Sequence, residues 1–228
     1  MERKQFRPRL SEAENQLIEE HRAKNVENVL VIGDLHEPFC LDGYLEFCKE
    51  QYIKHNCNKV VFIGDIIDSH YSSYHETDAD GMGGAAELQL AIDKISKWYE
   101  AFPVADVTLG NHDRIIVRKA QSSNIPSQWI REFKDVLETP TWNYCTEVVT
   151  NNVRYVHGDK SSAAKTAYKR DVEWNFGKHA ALFGMQVGCG IDSKSYAMGY
   201  MQGGKKEAIG VGVVLDNGKQ PFVIPMEL

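Results

Sequence analysis

The stretch VLVIGDLHEP, residues 29–38, sets Asp34 and His36 two residues apart where an apolar run ends. In extended backbone, side chains two residues apart share a face. The carboxylate and the imidazole therefore aim at one spot if that geometry continues past Ile32. Such a pair can bind a metal, work as acid and base, or stay a solvated loop. The same kind of ending recurs along the chain. KVVFIGDIID (59–68) closes on Asp65 and Asp68, VADVTLGNHD (104–113) closes on Asn111, His112 and Asp113, and His157 follows EVVTNNVRYV.

The elements that carry these groups read as an α/β protein. Apolar runs at 28–34, 59–68 and 104–113 have the continuous character of buried parallel strands. Helical spacing links them. DGYLEFCKEQYIKHN places Tyr44, Leu45, Cys48, Tyr52 and Ile53 on one stripe, and GAAELQLAIDKISKWYEAFP runs to a stop at Pro103. PSQWIREFKDVLE reads as a further helix from Pro126 and Ser127, and Ser11 with Glu14 marks a capping box for a short one near the start. After residue 140 the pattern turns to hairpins. EVVTNNVRYVHGD turns at Asn151-Asn152, MQVGCGID reads as a strand, and AIGVGVVLDNGKQPFVIPM turns at Asn217-Gly218. Ligands of such sheets bind beyond the carboxyl ends of the strands, which is where the polar groups fall.

A mixed set of carboxylates, imidazoles and an amide suits borderline divalent ions such as Mn, Fe, Zn or Ni. Two ions about 3.5–4 Å apart share an oxygen ligand and activate a water between them. Asp65, on the middle strand, is the natural bridge. GDLH, GDIID, GNHD and a later HG, in this order and spacing, resemble the calcineurin-like metallophosphoesterases, whose pattern is D-x-H, G-D-x-x-D, G-N-H-[DE], H, then G-H-x-H. The resemblance runs over residues 28–158, and the wider text is most similar to phage- and prophage-encoded members.

The resemblance implies a β-sandwich flanked by helices, with βαβ units in the first half. It also implies a dinuclear centre that hydrolyses a phosphomonoester or phosphodiester through a metal-activated water attacking in line. Asp34 and His36 would hold the first ion, Asp65 would bridge, and Asn111 and His157 would hold the second. His112 would protonate the leaving oxygen, with Asp113 orienting its ring, and Asp68 would orient a ligand from behind. The implied cofactors are two divalent transition-metal ions, manganese foremost. The implied substrate is a nucleotide, a nucleic-acid end, a phosphoprotein or a small phosphodiester.

The match fails at its last block. No G-H-x-H occurs in residues 158–228, and the nearest text, FGKHAALFG, offers only His179, one position out of phase. A shortened segment, one weakly held ion, or lost catalysis on a retained fold would each account for it. The second reading of function is accordingly a metal-poor scaffold that uses the same fold for protein contacts. Each motif alone also has a bland reading: Gly-Asp after a strand is ordinary turn chemistry, the loop with His70, Tyr71, Tyr74 and His75 reads equally as surface packing or as substrate reach, and Trp98, Trp129, Trp142 and Trp174 read as core or rim packing. Four blocks at strand ends in family order are hard to reach by such accidents.

Composition narrows the classes. The chain has 228 residues and a net charge of −6, which argues against a broad basic surface for duplex nucleic acid. No C-x5-R or G-x-x-x-x-G-K-[ST] occurs, which removes cysteine phosphatases and P-loop NTPases. Five cysteines without a C-x-x-C pair, no secretory leader and no long apolar run point to a cytoplasmic protein away from membranes. One domain at 28–228, preceded by an extension at 1–27, is the expected organisation.

Overall fold

The computed structural model describes residues 11–13, 16, 26–158, 171–174, 183–201 and 208–228. The helix expected from Ser11 and Glu14 lies largely outside these residues, and His179 lies wholly outside them.

Three short apolar strands build the middle of the molecule: β1 (Val29–Ile32), β2 (Lys59–Phe62) and β3 (Asp106–Thr108). They pair in parallel, β1 with β2 and β2 with β3, through crossovers carrying α1 (Tyr44–Lys54) and α2 (Gly84–Ala101). Beyond β3 come α3 (Ile115–Ser122), a 3₁₀ turn at Ser127–Trp129, a short α4 (Phe133–Val136) and β4 (Asn143–Cys145). The hairpin β5 (Val148–Thr150) and β6 (Val153–Tyr155) comes next, then β7 (Asp171–Trp174) and β8 (Phe183–Gln186). The chain closes with β9 (Gly210–Leu215) and β10 (Gln220–Pro225). One sheet runs β10-β9-β1-β2-β3-β4 and the second β5-β6-β7-β8.

Alternation along β1 and β2 explains the layering. Leu30, Ile32, Val60 and Phe62 face the helices, packing with Tyr44, Cys48, Ala91, Ile95 and Trp98. Val29, Val31, Val61 and Ile63 face the second sheet, packing with Val148, Val153, Tyr155 and Met185. A strand buried on both faces must be apolar at every position, and VLVI and VVFI are. The result is a mixed α/β sandwich with helices on the outer face of the six-stranded sheet, the architecture the resemblance implies.

Both hairpins turn where expected. Asn151 and Asn152 take φ of 49° and 60°, and Asp216, Asn217 and Gly218 take 50°, 54° and 88°, the left-handed values Asn and Gly tolerate best. Other expectations are corrected. The strands stop early, at Phe62 and Thr108, and the polar residues beyond them sit in irregular turns. PSQWIREFKDVLE is not one helix: Ile130 is extended and Glu132 has ψ of 149°. Neither the 3₁₀ turn nor α4 fully buries a residue, and only Val136 and Leu137 at the far end pack on the core, too little to offset the cost of continuous helix. In MQVGCGID only the first two residues belong to β8, and Cys189 and Ile191 make isolated bridges to Ile209 and Cys40. Trp98 and Trp142 are core, while Trp129 is 80% exposed. All five cysteines are free thiols. Among the described residues no helix is long and apolar enough to cross a membrane.

Candidate metal centre

The parallel strands end side by side, and their turns are laced together by backbone hydrogen bonds. Ile63 N–H donates to Ile32 O (2.9 Å), His36 N–H to Asp65 O (2.8 Å), Glu37 N–H to Ile66 O (2.9 Å) and Asp68 N–H to Glu37 O (3.0 Å). Gly190 N–H donates to Asp34 O (2.8 Å), tying in the segment after β8. Asp34 and His36 do converge, but not by strand alternation. The strand ends at Ile32, and His36 sits at φ 50°. Asp65 and Ser69 share that left-handed region, at φ 49° and 54°. Each non-glycine residue held there costs on the order of 1–3 kcal/mol, and such strain gathers where a site demands an exact side-chain direction.

The side chains that result form one buried cluster. His36 Nδ1–H donates to Asp68 Oδ1 (2.6 Å), which turns Nε2 toward Asp65 Oδ2 (3.6 Å) and Asp34 Oδ2 (3.9 Å). His157 Nδ1–H donates to the Ile63 carbonyl (2.9 Å), leaving Nε2 at 3.2 Å from Asp65 Oδ2 and 3.0 Å from Asn111 Oδ1. Asp65 Oδ1 accepts the His112 backbone N–H (2.8 Å). His112 Nδ1–H donates to the Asp68 carbonyl (2.6 Å), and its ring meets His36 edge to face at 4.5 Å. Of the residues singled out from sequence, Asp34, His36, Asp65, Asn111, His112 and His157 thus come together.

Asp113 does not join them as expected. Its carboxylate accepts the backbone N–H groups of Gly110 (2.8 Å), Ile66 (2.9 Å) and Ile67 (3.3 Å), and the His112 ring is held by Asp68 instead. Asp113 is the clasp between the two turns. Burial, reinforced by the negative charge of Asp65, raises its pKa to about 6, against the opposing pull of the Gly110 and Ile67 amides. Sequence reasoning also missed Glu87. From the first turn of α2 it accepts His70 N–H (2.7 Å) and Tyr71 N–H (3.2 Å), fixing the loop that leaves Asp68. Its burial raises its pKa to about 7.

The donor set fits divalent cations. Asp34, His36 and Asp65 offer atoms within 4.8 Å of one another, as do His36, Asp68 and His112, and all are buried. Asp65, Asp68 and Asp113 are each no more than 3% exposed, and among the described residues no lysine or arginine pairs with them. Burying several carboxylates together is costly unless cations compensate. Here histidines must do so. Burial opposes a charged His157 ring, yet the carboxylates of Asp65 and Asp34 outweigh it and raise its pKa to about 9. His36 is likewise raised, its burial outweighed by Asp34, Asp68 and Asp65. For Asp65, burial is overcome by His157, His36 and His112, which hold its pKa well below the usual carboxylate range.

Two glycines let the turns approach this closely. A Cβ at Gly110 would collide with the Asp65 carboxylate and backbone, and one at Gly64, whose φ is 95°, would lie 2.7–2.8 Å from Gly110 and from His157 Nδ1. Gly110→Ala is expected to lower the melting temperature by several degrees, about 4–8 °C per kcal/mol for a small domain and less for this length. It should also displace Asp65, which metal titration reads directly. An unchanged melting temperature and metal affinity would contradict this packing.

Comparison with curated proteins finds none that matches the chain. Against protein families the outcome is different. The model for the calcineurin-like phosphoesterases matches residues 27–182, which spans β1, β2, β3 and every residue of the cluster. That family generally holds two divalent metal ions between such histidines and aspartates, and this chain belongs to it.

Proposed function

We propose that the protein is a metal-dependent phosphoesterase with a dinuclear centre. Asp34, His36 and Asp65 hold one ion, and Asp65, Asn111 and His157 hold the other. The observation that carries this reading is the position of Asp65 Oδ2, 3.6 Å from His36 Nε2 and 3.2 Å from His157 Nε2. One oxygen lies between two imidazole nitrogens whose other ring nitrogens are already committed. Bound divalent ions supply the charge that holds phosphate oxygens and that lowers the pKa of a water.

The chain's own residues do the rest. Asp68 and the Ile63 carbonyl fix the ring orientations of His36 and His157. His112, with Nδ1–H anchored on Asp68, keeps Nε2 for the leaving oxygen and delivers its proton from there. Asp113 locks the Gly110–His112 turn against Ile66 and Ile67, so that His112 and Asp65 move as one body. The buried carboxylates favour this reading over the scaffold alternative suggested by the missing G-H-x-H. A scaffold gains nothing from holding them without a cation. The test is hydrolysis of a chromogenic phosphodiester and a chromogenic phosphomonoester by the manganese-reconstituted chain. Turnover that chelator abolishes supports the enzyme, and no turnover of either ester supports the scaffold.

Metal loading carries a pH signature. With His157 near pKa 9 in the metal-free protein, its Nε2 is protonated at neutral pH and must lose that proton to act as a donor. Apparent affinity should rise by about tenfold per pH unit for this group from pH 7 and level off near pH 9. Calorimetry in buffers of different ionisation enthalpy should show protons released on binding. The same shift works oppositely on the metal-free fold. A folded pKa raised from 6.5 gives stability that is fully present below pH 6.5 and lost as pH climbs to about 9. pH-independent metal affinity would remove His157 from the centre.

A further inference from the structure

We propose that the surface formed by Tyr74, Arg118 and Lys119 binds a single-stranded nucleic acid and thereby sets the substrate class of the neighbouring centre. The proposal rests on the phosphoesterase reading for the word substrate, though not for the binding itself. Two segments leave the cluster and meet again farther along the chain. One runs from Asp68 through the 3₁₀ turn His70–Ser72 to Tyr74, its base held by Glu87. The other runs from His112 into α3, its start held by the Arg114 Nε–H bond to the Gly110 carbonyl (2.9 Å). Where they meet, the Arg118 guanidinium lies 5.0 Å and the Lys119 ammonium 5.3 Å from the centre of the Tyr74 ring.

Two cations on one aromatic ring repel each other, and among the described residues neither has a carboxylate partner. The ring offsets part of that repulsion, each cation–π contact at an exposed site being modest. The loop beyond Tyr74 carries Glu76, Asp78 and Asp80, but among the described residues none of them pairs with either cation. The stretch 114–131, RIIVRKAQSSNIPSQWIR, holds four cations and no acidic residue, in a chain whose net charge is −6. Tyr74 is 56% exposed and Arg118 is exposed. A half-exposed ring with two unneutralised cations over it matches a ligand that alternates aromatic bases with phosphates. Base–aromatic stacking and backbone charge are how single strands are held without sequence readout. A duplex hides its base faces, so it would gain only the charge.

The test is binding of a fluorescent oligothymidylate of about twelve nucleotides to the full chain kept in chelator, so that no cleavage intervenes. Arg118→Glu with Lys119→Glu should weaken binding at least tenfold and reduce the salt slope by about 1.4, the share of two phosphate contacts on a single strand. Tyr74→Ala should weaken binding while leaving the salt slope unchanged. Turnover of a small chromogenic phosphodiester with manganese should stay within about twofold of wild type in both variants, which also certifies their fold. Equal binding by wild type and the double variant, or no strand binding by wild type, would overturn the proposal. So would competition by polyglutamate as strong as by unlabelled strand, which would assign the surface to an acidic polypeptide. Loss of small-ester turnover in wild type would instead overturn the phosphoesterase reading and leave the binding result standing.

Discussion

Asp65→Asn is expected to lower phosphoester turnover by about 10³-fold or more and to strip the chain of tightly held metal. Asp65 is 3% exposed and meets three groups at once: His36 and His157 through Oδ2, and the His112 backbone N–H through Oδ1. Asparagine keeps the shape and one oxygen. If that oxygen still receives the His112 N–H, an NH₂ group must face both imidazole nitrogens, where a shared donor oxygen is needed. The loss of charge acts in the same direction, because the raised pKa of His157 and the compensated state of His36 both depend on it. Metal content and turnover should fall together. Wild-type hydrolysis by this variant would mean that the ions, or the reaction, lie elsewhere.

His112→Gln separates binding from chemistry. The His112 ring touches Asp68 and His36 but lies outside the Asp65–Asn111–His157 grouping. Its removal should leave metal stoichiometry intact while lowering kcat by about 10²–10⁴-fold, the range for a positioned general acid. The loss should be largest for esters with poor leaving groups, which most need the proton, and small for nitrophenolate. A uniform loss across leaving groups would reassign His112 to a structural role, since its backbone N–H alone already fixes Asp65. Asp68→Asn should act differently, because it keeps the backbone carbonyl that holds His112 and removes the carboxylate that orients His36, so metal affinity should fall.

The sandwich was legible wherever a residue's neighbours in sequence are also its physical constraint. The runs VLVI and VVFI are apolar at every position because they are buried on both faces, and Asn151-Asn152 and Asn217-Gly218 mark turns because their backbones reach positive φ. α3 was not legible: Ile115, Ile116 and Val117 are β-branched and favour strand. They form a helix because Ile115 and Ala120 are buried in the fold. The helix expected over 126–138 is broken for the converse reason: Trp129 is 80% exposed, and only Val136 and Leu137 at the far end meet the core.

The site divides in the same way. The residue types in GDLH, GDIID and GNHD named the chemistry before any contact was known. Their directions were set by tertiary structure. Asp34 and His36 meet because His36 turns to φ 50° and not because a strand continues, and no spacing rule shows that. Asp113 sits next to His112 in sequence but is claimed by three backbone amides from two turns. That the Asp68 backbone carbonyl, and not the Asp113 carboxylate, holds the His112 ring could be read only once those amides were placed.

The most direct test of the central claim is the number of ions held by the chelator-stripped chain after manganese reconstitution, measured by elemental analysis of the desalted protein. Wild type should hold two ions per chain, and Asp65→Asn should lose them. A wild-type chain that retains no manganese, or an Asp65→Asn chain that retains as much as wild type, would contradict it.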